Sequence, residues 1–190
     1  SESFDLFQYK PKQKELDYQI QIIQQQLQEI NKTDSRLSDK ERKLFANKKP
    51  WGLILFTRNI KSFNQLKNLI KSIKKLTKDK NFPILIDEEG RTVSRLKKII
   101  KNDVSQKFFG DNFKFNPNIT YQIYKNYINS LCEILKKLGI NINTVPVLDV
   151  LRNNTNKVIG SRSFSKKPDI VKKLGNFCLE QELRFLNIRN

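Results

Sequence analysis

Three short apolar runs in this chain each end in a polar cluster, and this pattern limits its possible folds more than any other feature. Ile84-Leu85-Ile86 breaks into Asp87, Glu88, Glu89 and Gly90; Leu53-Ile54-Leu55-Phe56 breaks into Thr57, Arg58 and Asn59; Val145-Pro146-Val147-Leu148 ends in Asp149. Runs this short and this apolar read as core strands covered on both faces. In a parallel α/β fold the C-terminal ends of the strands lie on one side of the sheet, where ligands bind. A solvated turn would account for an isolated Asp-Glu-Glu-Gly, but three such ends in one chain have the geometry of a site.

The segments between the runs read as helices. Ser38-Asp39-Lys40-Glu41 has the form of a capping box and predicts a helix to about Asn47, broken by Pro50-Trp51-Gly52. Ser62 caps a second helix with Leu66, Leu69, Ile70, Ile73 and Leu76 on its apolar face, while Lys67, Lys71, Lys74, Lys75 and Lys78 form a solvated row. From Val93 to Gly110 the pattern is irregular, a long connection of the kind that carries a site. Asn116-Pro117-Asn118 opens a third helix, with Tyr121, Tyr124, Tyr127, Ile128, Leu131, Leu135 and Leu138 on one side and Gly139 as its C-terminal stop. Ile140 to Asn143 alternates ahead of the strand predicted over Val145 to Asp149. Pro168 begins a last helix that buries Ile170, Val171, Leu174, Phe177 and Cys178, and Phe185-Leu186-Asn187-Ile188 hints at one more element. Strands alternating with helices predict right-handed βαβ units and a parallel sheet. Periodicity leaves two versions open, an open doubly wound sheet or part of a (β/α)8 barrel.

Composition narrows the function. The chain has no histidine, which removes histidine-based triads, zinc sites and proton shuttles together. No cofactor and no metal is implied. Lysine and arginine total 37 against 19 acids, a net charge of +18. The lysines are spread through helices without interleaved aromatic residues, so nucleic-acid binding is a minor alternative. No stretch approaches the roughly 18 apolar residues of a membrane span, and the polar, Gln-rich start is no signal peptide. Cys132 and Cys178 read as small core residues of a reducing compartment. These features predict a soluble cytoplasmic protein. Residues 1–35 form a Gln-rich N-terminal extension, helical or disordered, with a narrow stripe at Ile20, Ile23, Leu27 and Ile30; residues 36–190 form the domain.

Four motifs carry a resemblance. Gly52-Leu-Ile-Leu-Phe-Thr-Arg-Asn59, Ile86-Asp-Glu-Glu-Gly90 with Val93-Ser-Arg-Leu96, Val145-Pro-Val-Leu-Asp149 and Ile159-Gly-Ser-Arg-Ser-Phe164 occur in the order found in family 3 glycoside hydrolases. They most resemble the bacterial β-N-acetylhexosaminidase branch of cell-wall recycling. The resemblance implies the N-terminal portion of a (β/α)8 TIM barrel, incomplete over these residues, acting on the terminal N-acetylglucosamine of peptidoglycan fragments. It implies that Asp87 accepts hydrogen bonds from sugar hydroxyls, and that Arg95 and Arg162 are further substrate contacts. A carboxylate and guanidinium groups suit the bidentate recognition of a polyol. Asp149 ranks as structural.

The chain also departs from that pattern. Arg91 and Thr92 occupy places where the family has a second glycine and an arginine, and a bulky Arg91 at a tight turn is expected to shift the loop carrying Asp87. The family's histidine–aspartate acid/base pair and its aspartate nucleophile are expected beyond Asn190. Hydrolysis with retention needs a carboxylate nucleophile and a proton donor, so these residues alone are expected to be inactive, with at most weak sugar binding. An inactive partial-barrel remnant is the alternative. Three clear strands leave sheet edges unpaired, which predicts self-association.

Overall fold

The structure, a computed structural model, describes residues 36–48, 50–153 and 155–186, apart from the side chains of residues 185 and 186. The N-terminal extension read over residues 1–35 lies outside the described residues.

Helix α1 (Asp39–Asn47) begins at the capping box, where the Ser38 backbone N–H donates to a Glu41 carboxylate oxygen at 2.8 Å and the Ser38 hydroxyl accepts from the Glu41 N–H. Strand β1 (Leu53–Leu55) runs into a 3₁₀ turn over Thr57–Asn59. Helix α2 (Phe63–Thr77) follows, N-capped by Ser62 and closed by Lys78 in the left-handed conformation, and leads to strand β2 (Ile84–Ile86). Most of the α2 lysine row is exposed as expected, but Lys74 reaches down to donate to the Gly139 carbonyl at 2.8 Å.

The region Val93–Gly110, read as a continuous connection, contains the start of helix α3 (Gln106–Phe113). The helix is short, with only two turns to show a period, and its first residue is a glutamine used for long-range bonding. Helix α4 (Pro117–Leu138) begins at the Asn116 cap and ends at Gly139, whose φ of 90° is the left-handed geometry of a helix stop.

Strand β3 is Ile142–Asn143 and not Val145 to Asp149. The ladder ends where the Thr144 N–H donates to the Ile86 carbonyl, because two residues later Pro146 has no N–H to continue it. The alternation at Ile140 to Asn143 has a different meaning from a solvated face. The Asn141 side chain accepts from the Ile84 N–H at 2.7 Å, and the Asn143 side chain accepts from the Glu88 N–H at 3.0 Å. Two asparagine amides thereby extend the pairing of β2 beyond both ends of a very short strand. Helix α5 (Pro168–Leu186) closes the described chain. Residues 185 and 186 finish that helix and do not open a new element.

The three strands are parallel in the order β1-β2-β3, with Leu55 opposite Ile86 and Ile86 opposite Asn143. The order advances without reversing. A (β/α)8 barrel begins with consecutive neighbours in this way, and so does the first half of a classic doubly wound sheet, whose order reverses only at its switch point. Leu55, Ile84 and Ile86 pack under α1, α2 and the C-terminal half of α4 in one core. A second core joins α3, α4 and α5, with Phe109 and Tyr124 ring centroids 4.2 Å apart. The α/β fold has the strand order of the N-terminal portion of a (β/α)8 barrel. No described helix is long and apolar enough to cross a membrane.

Candidate sugar-binding site

The acidic triplet after β2 is sorted by the strand's two-residue alternation. Ile86 points into the helical layer and is fully buried, so Glu88 follows it inward, while Asp87 and Glu89 alternate to the other face. Glu88 is 1% exposed; it accepts from the Leu96 N–H and the Asn102 side chain at 2.8 and 2.9 Å. That carboxylate ties down the loop after β2 and is not available to a ligand.

Asp87 stands at the strand end, with its side chain about one-fifth exposed. Arg95 donates to its Oδ2 at 2.8 Å, and the hydroxyl of Thr144, the first residue after β3, donates to its Oδ1 at 2.6 Å. The Arg95 guanidinium lies 5.3 Å from the centre of the Phe56 ring, and that of Arg58 lies 4.7 Å from the same centre. Arg95 Nε is buried and has no hydrogen-bond partner among the described residues. Arg58, Asp87 and Thr144 therefore come from the ends of three adjacent strands, and Arg95 reaches in from the loop after β2.

Arg162 sits in a 3₁₀ turn, Gly160–Arg162, and grips Glu89 through two parallel bonds, Nε to Oε2 at 2.8 Å and Nη2 to Oε1 at 2.9 Å. This bidentate pair raises the guanidinium's already high pKa, with the charges of Asp149 and Asp87 adding to it. Hydroxyls of Thr92 and Ser161, 3.3 Å apart, make a second link between the two loops. The fold thus brings Asp87, Arg95 and Arg162 to one side of the sheet. Asp149 is exposed nearby, and its carbonyl accepts the Ser163 hydroxyl.

Arg91, which the resemblance sets at a glycine position, lies in a turn with two successive positive φ angles. Gly90 keeps a φ of 91°, where a Cβ would meet the Val104 carbonyl at 2.1 Å, and Arg91 follows at φ 37°. Arg91 adopts the left-handed backbone that a glycine would take there, and its N–H donates to the Asn102 carbonyl at 2.6 Å. A positive φ at a residue with a side chain is a strained conformation.

Sequence reasoning missed Phe56, Thr144, Glu89 and Gln106 as parts of this site. Thr144 was detectable in principle, since it follows a strand just as Thr57 and Asp87 do. Nothing local marks Gln106. Among the described residues no group of three or more acids and cysteines is placed to hold a metal ion.

The family 3 glycosyl hydrolase N-terminal domain model matches residues 19–181. The chain belongs to this family. The match begins inside the Gln-rich segment, before residue 36. A β-hexosaminidase from Thioalkalivibrio sulfidiphilus is 29% identical over 140 residues, which is 74% of this chain and 40% of that protein. A β-hexosaminidase from Neisseria gonorrhoeae is 31% identical over 140 residues, 73% of this chain and 38% of its own length. The crystal structure of NagZ from Neisseria gonorrhoeae superposes with a TM-score of 0.72 at 28% identity, covering 80% of this chain and 44% of that one. The family 3 domain described here therefore spans less than half the length of these relatives. The same gonococcal protein has been solved in complex with N-trifluoroacetyl-D-glucosamine, again with 28% identity and a TM-score of 0.70.

Proposed function

We propose that the strand-end cluster binds the terminal N-acetylglucosamine of a saccharide, as the sugar-recognising part of a β-N-acetylhexosaminidase acting on peptidoglycan fragments in the cytoplasm. The observation that carries this reading is the joining of Asp87, Arg95 and Thr144 beside the Phe56 ring at the ends of three strands. A partly exposed carboxylate with its donors already in place accepts hydroxyl protons without first being reorganised. Arg162 uses two of the five N–H donors of a guanidinium on Glu89, leaving the rest to a sugar oxygen. The complex of the gonococcal relative with a glucosamine derivative supports the same ligand class. Two free, buried cysteines suit a reducing compartment.

Turnover is a separate matter. Residues 1–190 contain no histidine, and Asp87, Glu88 and Glu89 are each engaged by donors. In this reading the proton donor and the nucleophile are groups other than these three carboxylates. We expect these 190 residues to bind N-acetylglucosamine weakly and to release no chromophore from an N-acetylglucosaminide. Calorimetry with N-acetylglucosamine tests the binding: Asp87→Ala and Arg162→Ala should each weaken it by about tenfold or more, as loss of a charged hydrogen bond does. Unchanged affinity in both variants would show that the cluster is not the sugar site.

A further inference from the structure

We propose that Gln106, on a helix the sequence reading did not detect, is the positioning residue for Arg162. The inference rests on the sugar-binding reading above.

The turn that carries Arg162 has little structure of its own. The chain from Thr144 to Ile159 forms no helix or strand among its described residues, and Val158 is 66% exposed. Arg162 itself belongs to a three-residue turn held by two local bonds, from its N–H to the Ile159 carbonyl at 2.7 Å and a long one from the Ser163 N–H to the Gly160 carbonyl at 3.4 Å. A long side chain on such a turn would sample many orientations unless its backbone were fixed from outside.

Gln106 provides that fixed point. It is the first residue of α3, 5% exposed, and its side-chain amide is fully used. Its oxygen accepts from the Val147 N–H at 2.9 Å, and its nitrogen donates to the Val147 carbonyl at 2.9 Å and to the Arg162 carbonyl at 2.6 Å. The amide takes the place of a neighbouring strand for Val147, where the β3 ladder has already ended, and the same nitrogen holds the Arg162 backbone. Helix α3 is itself seated close to this loop, because a Cβ at Gly110 would lie 1.8 Å from the Phe164 carbonyl oxygen. Around the same turn the Ser163 hydroxyl donates to the Asp149 carbonyl and the Leu151 N–H to the Ser165 carbonyl, but neither bond reaches Arg162 itself. With the backbone held by Gln106 and the guanidinium by Glu89, Arg162 is fixed at both ends.

The chemistry of the amide makes the role testable. Gln106→Glu keeps the shape but, when ionised, loses the donor to both carbonyls; when protonated, its single O–H restores one of those bonds. Gln106→Leu removes both at every pH. The full chain is used, with N-acetylglucosamine as probe and calorimetry as readout, and the Arg162 Nε resonance is followed by NMR and assigned by its loss in Arg162→Lys. Far-UV circular dichroism establishes that the variants are folded. The expected result is an affinity about tenfold lower in both variants at pH 7.5, with the deficit of Gln106→Glu relative to wild type shrinking toward pH 5 and that of Gln106→Leu unchanged. The Arg162 Nε resonance should broaden or shift in parallel. A merely structural role would lower stability without this difference between the variants. Wild-type affinity in both variants, or an undisturbed Arg162 resonance, overturns the proposal. An Arg162→Lys protein that binds as tightly as wild type overturns the sugar reading instead, and the resonance then still reports whether Gln106 orients Arg162.

Discussion

Two groups of buried or half-buried carboxylates in this molecule behave in opposite ways. At the end of β2, Asp87, Glu88 and Glu89 each have donors: Arg95 and Thr144, the Leu96 N–H and Asn102, and the Arg162 fork. At the interface of α4 and α5, Glu182 is 7% exposed and among the described residues receives only one long bond, from Asn143 at 3.4 Å. Burial pushes its carboxyl up to about 8, against the weak opposing effect of that bond. It shares a cavity of about 20 Å³, room for one water, with Glu88, Glu89, Gln106 and Tyr127 among others. Its neighbours answer to the same dry environment, with desolvation raising the Cys132 thiol to about 12 and the Tyr127 hydroxyl to about 12. Similarly buried acids thus differ in the number of donors that the fold builds around them.

The sharpest test of that contrast is Glu88→Ala. It leaves the Leu96 N–H and the Asn102 amide buried without their acceptor, and should cost about 3 kcal/mol in urea unfolding. Glu88→Gln keeps an acceptor oxygen and should cost about 1 kcal/mol. Equal effects of the two would mean that the loop does not depend on these bonds.

Glu182→Gln should act in the opposite direction. The native carboxyl titrates near 8 and the unfolded one near 4.5, so the native state holds more protons between those values. The stability contributed by the protonated form is therefore present below pH 4.5 and lost as pH rises through 8. The amide removes this dependence, stabilising by about 2 kcal/mol at pH 6, more toward pH 8, and by almost nothing at pH 4.5. A destabilised Glu182→Gln at pH 8 would place Glu182 with the well-partnered acids. The smallest expected change is Arg91→Gly, in the loop that presents Glu89. Release of its left-handed backbone should gain about 0.5–1 kcal/mol after the glycine's greater unfolded-state entropy is subtracted, without altering N-acetylglucosamine binding.

What the sequence by itself determined about this protein is what depends on neighbours along the chain. The Ser38–Glu41 box, the Ser62 and Asn116 caps, the Gly139 stop and the apolar stripes of α2, α4 and α5 act within a few residues, and each was legible as such. The motifs around Asp87, Arg95 and Arg162 likewise pointed to one end of a parallel sheet, because the C-terminal ends of parallel strands share a side. Tertiary structure alone decided which acids are free and which are tied. The pairing of Arg162 with Glu89 spans 73 residues, that of Glu88 with Asn143 spans 55, and that of Gln106 with Arg162 spans 56. No local period encodes such pairs. The end of β3 at Thr144, the start of α3 inside an irregular stretch and the donor-poor burial of Glu182 have the same origin. Each follows from which groups distant in sequence meet in space, and a hydrogen bond or a desolvated charge is set by that meeting.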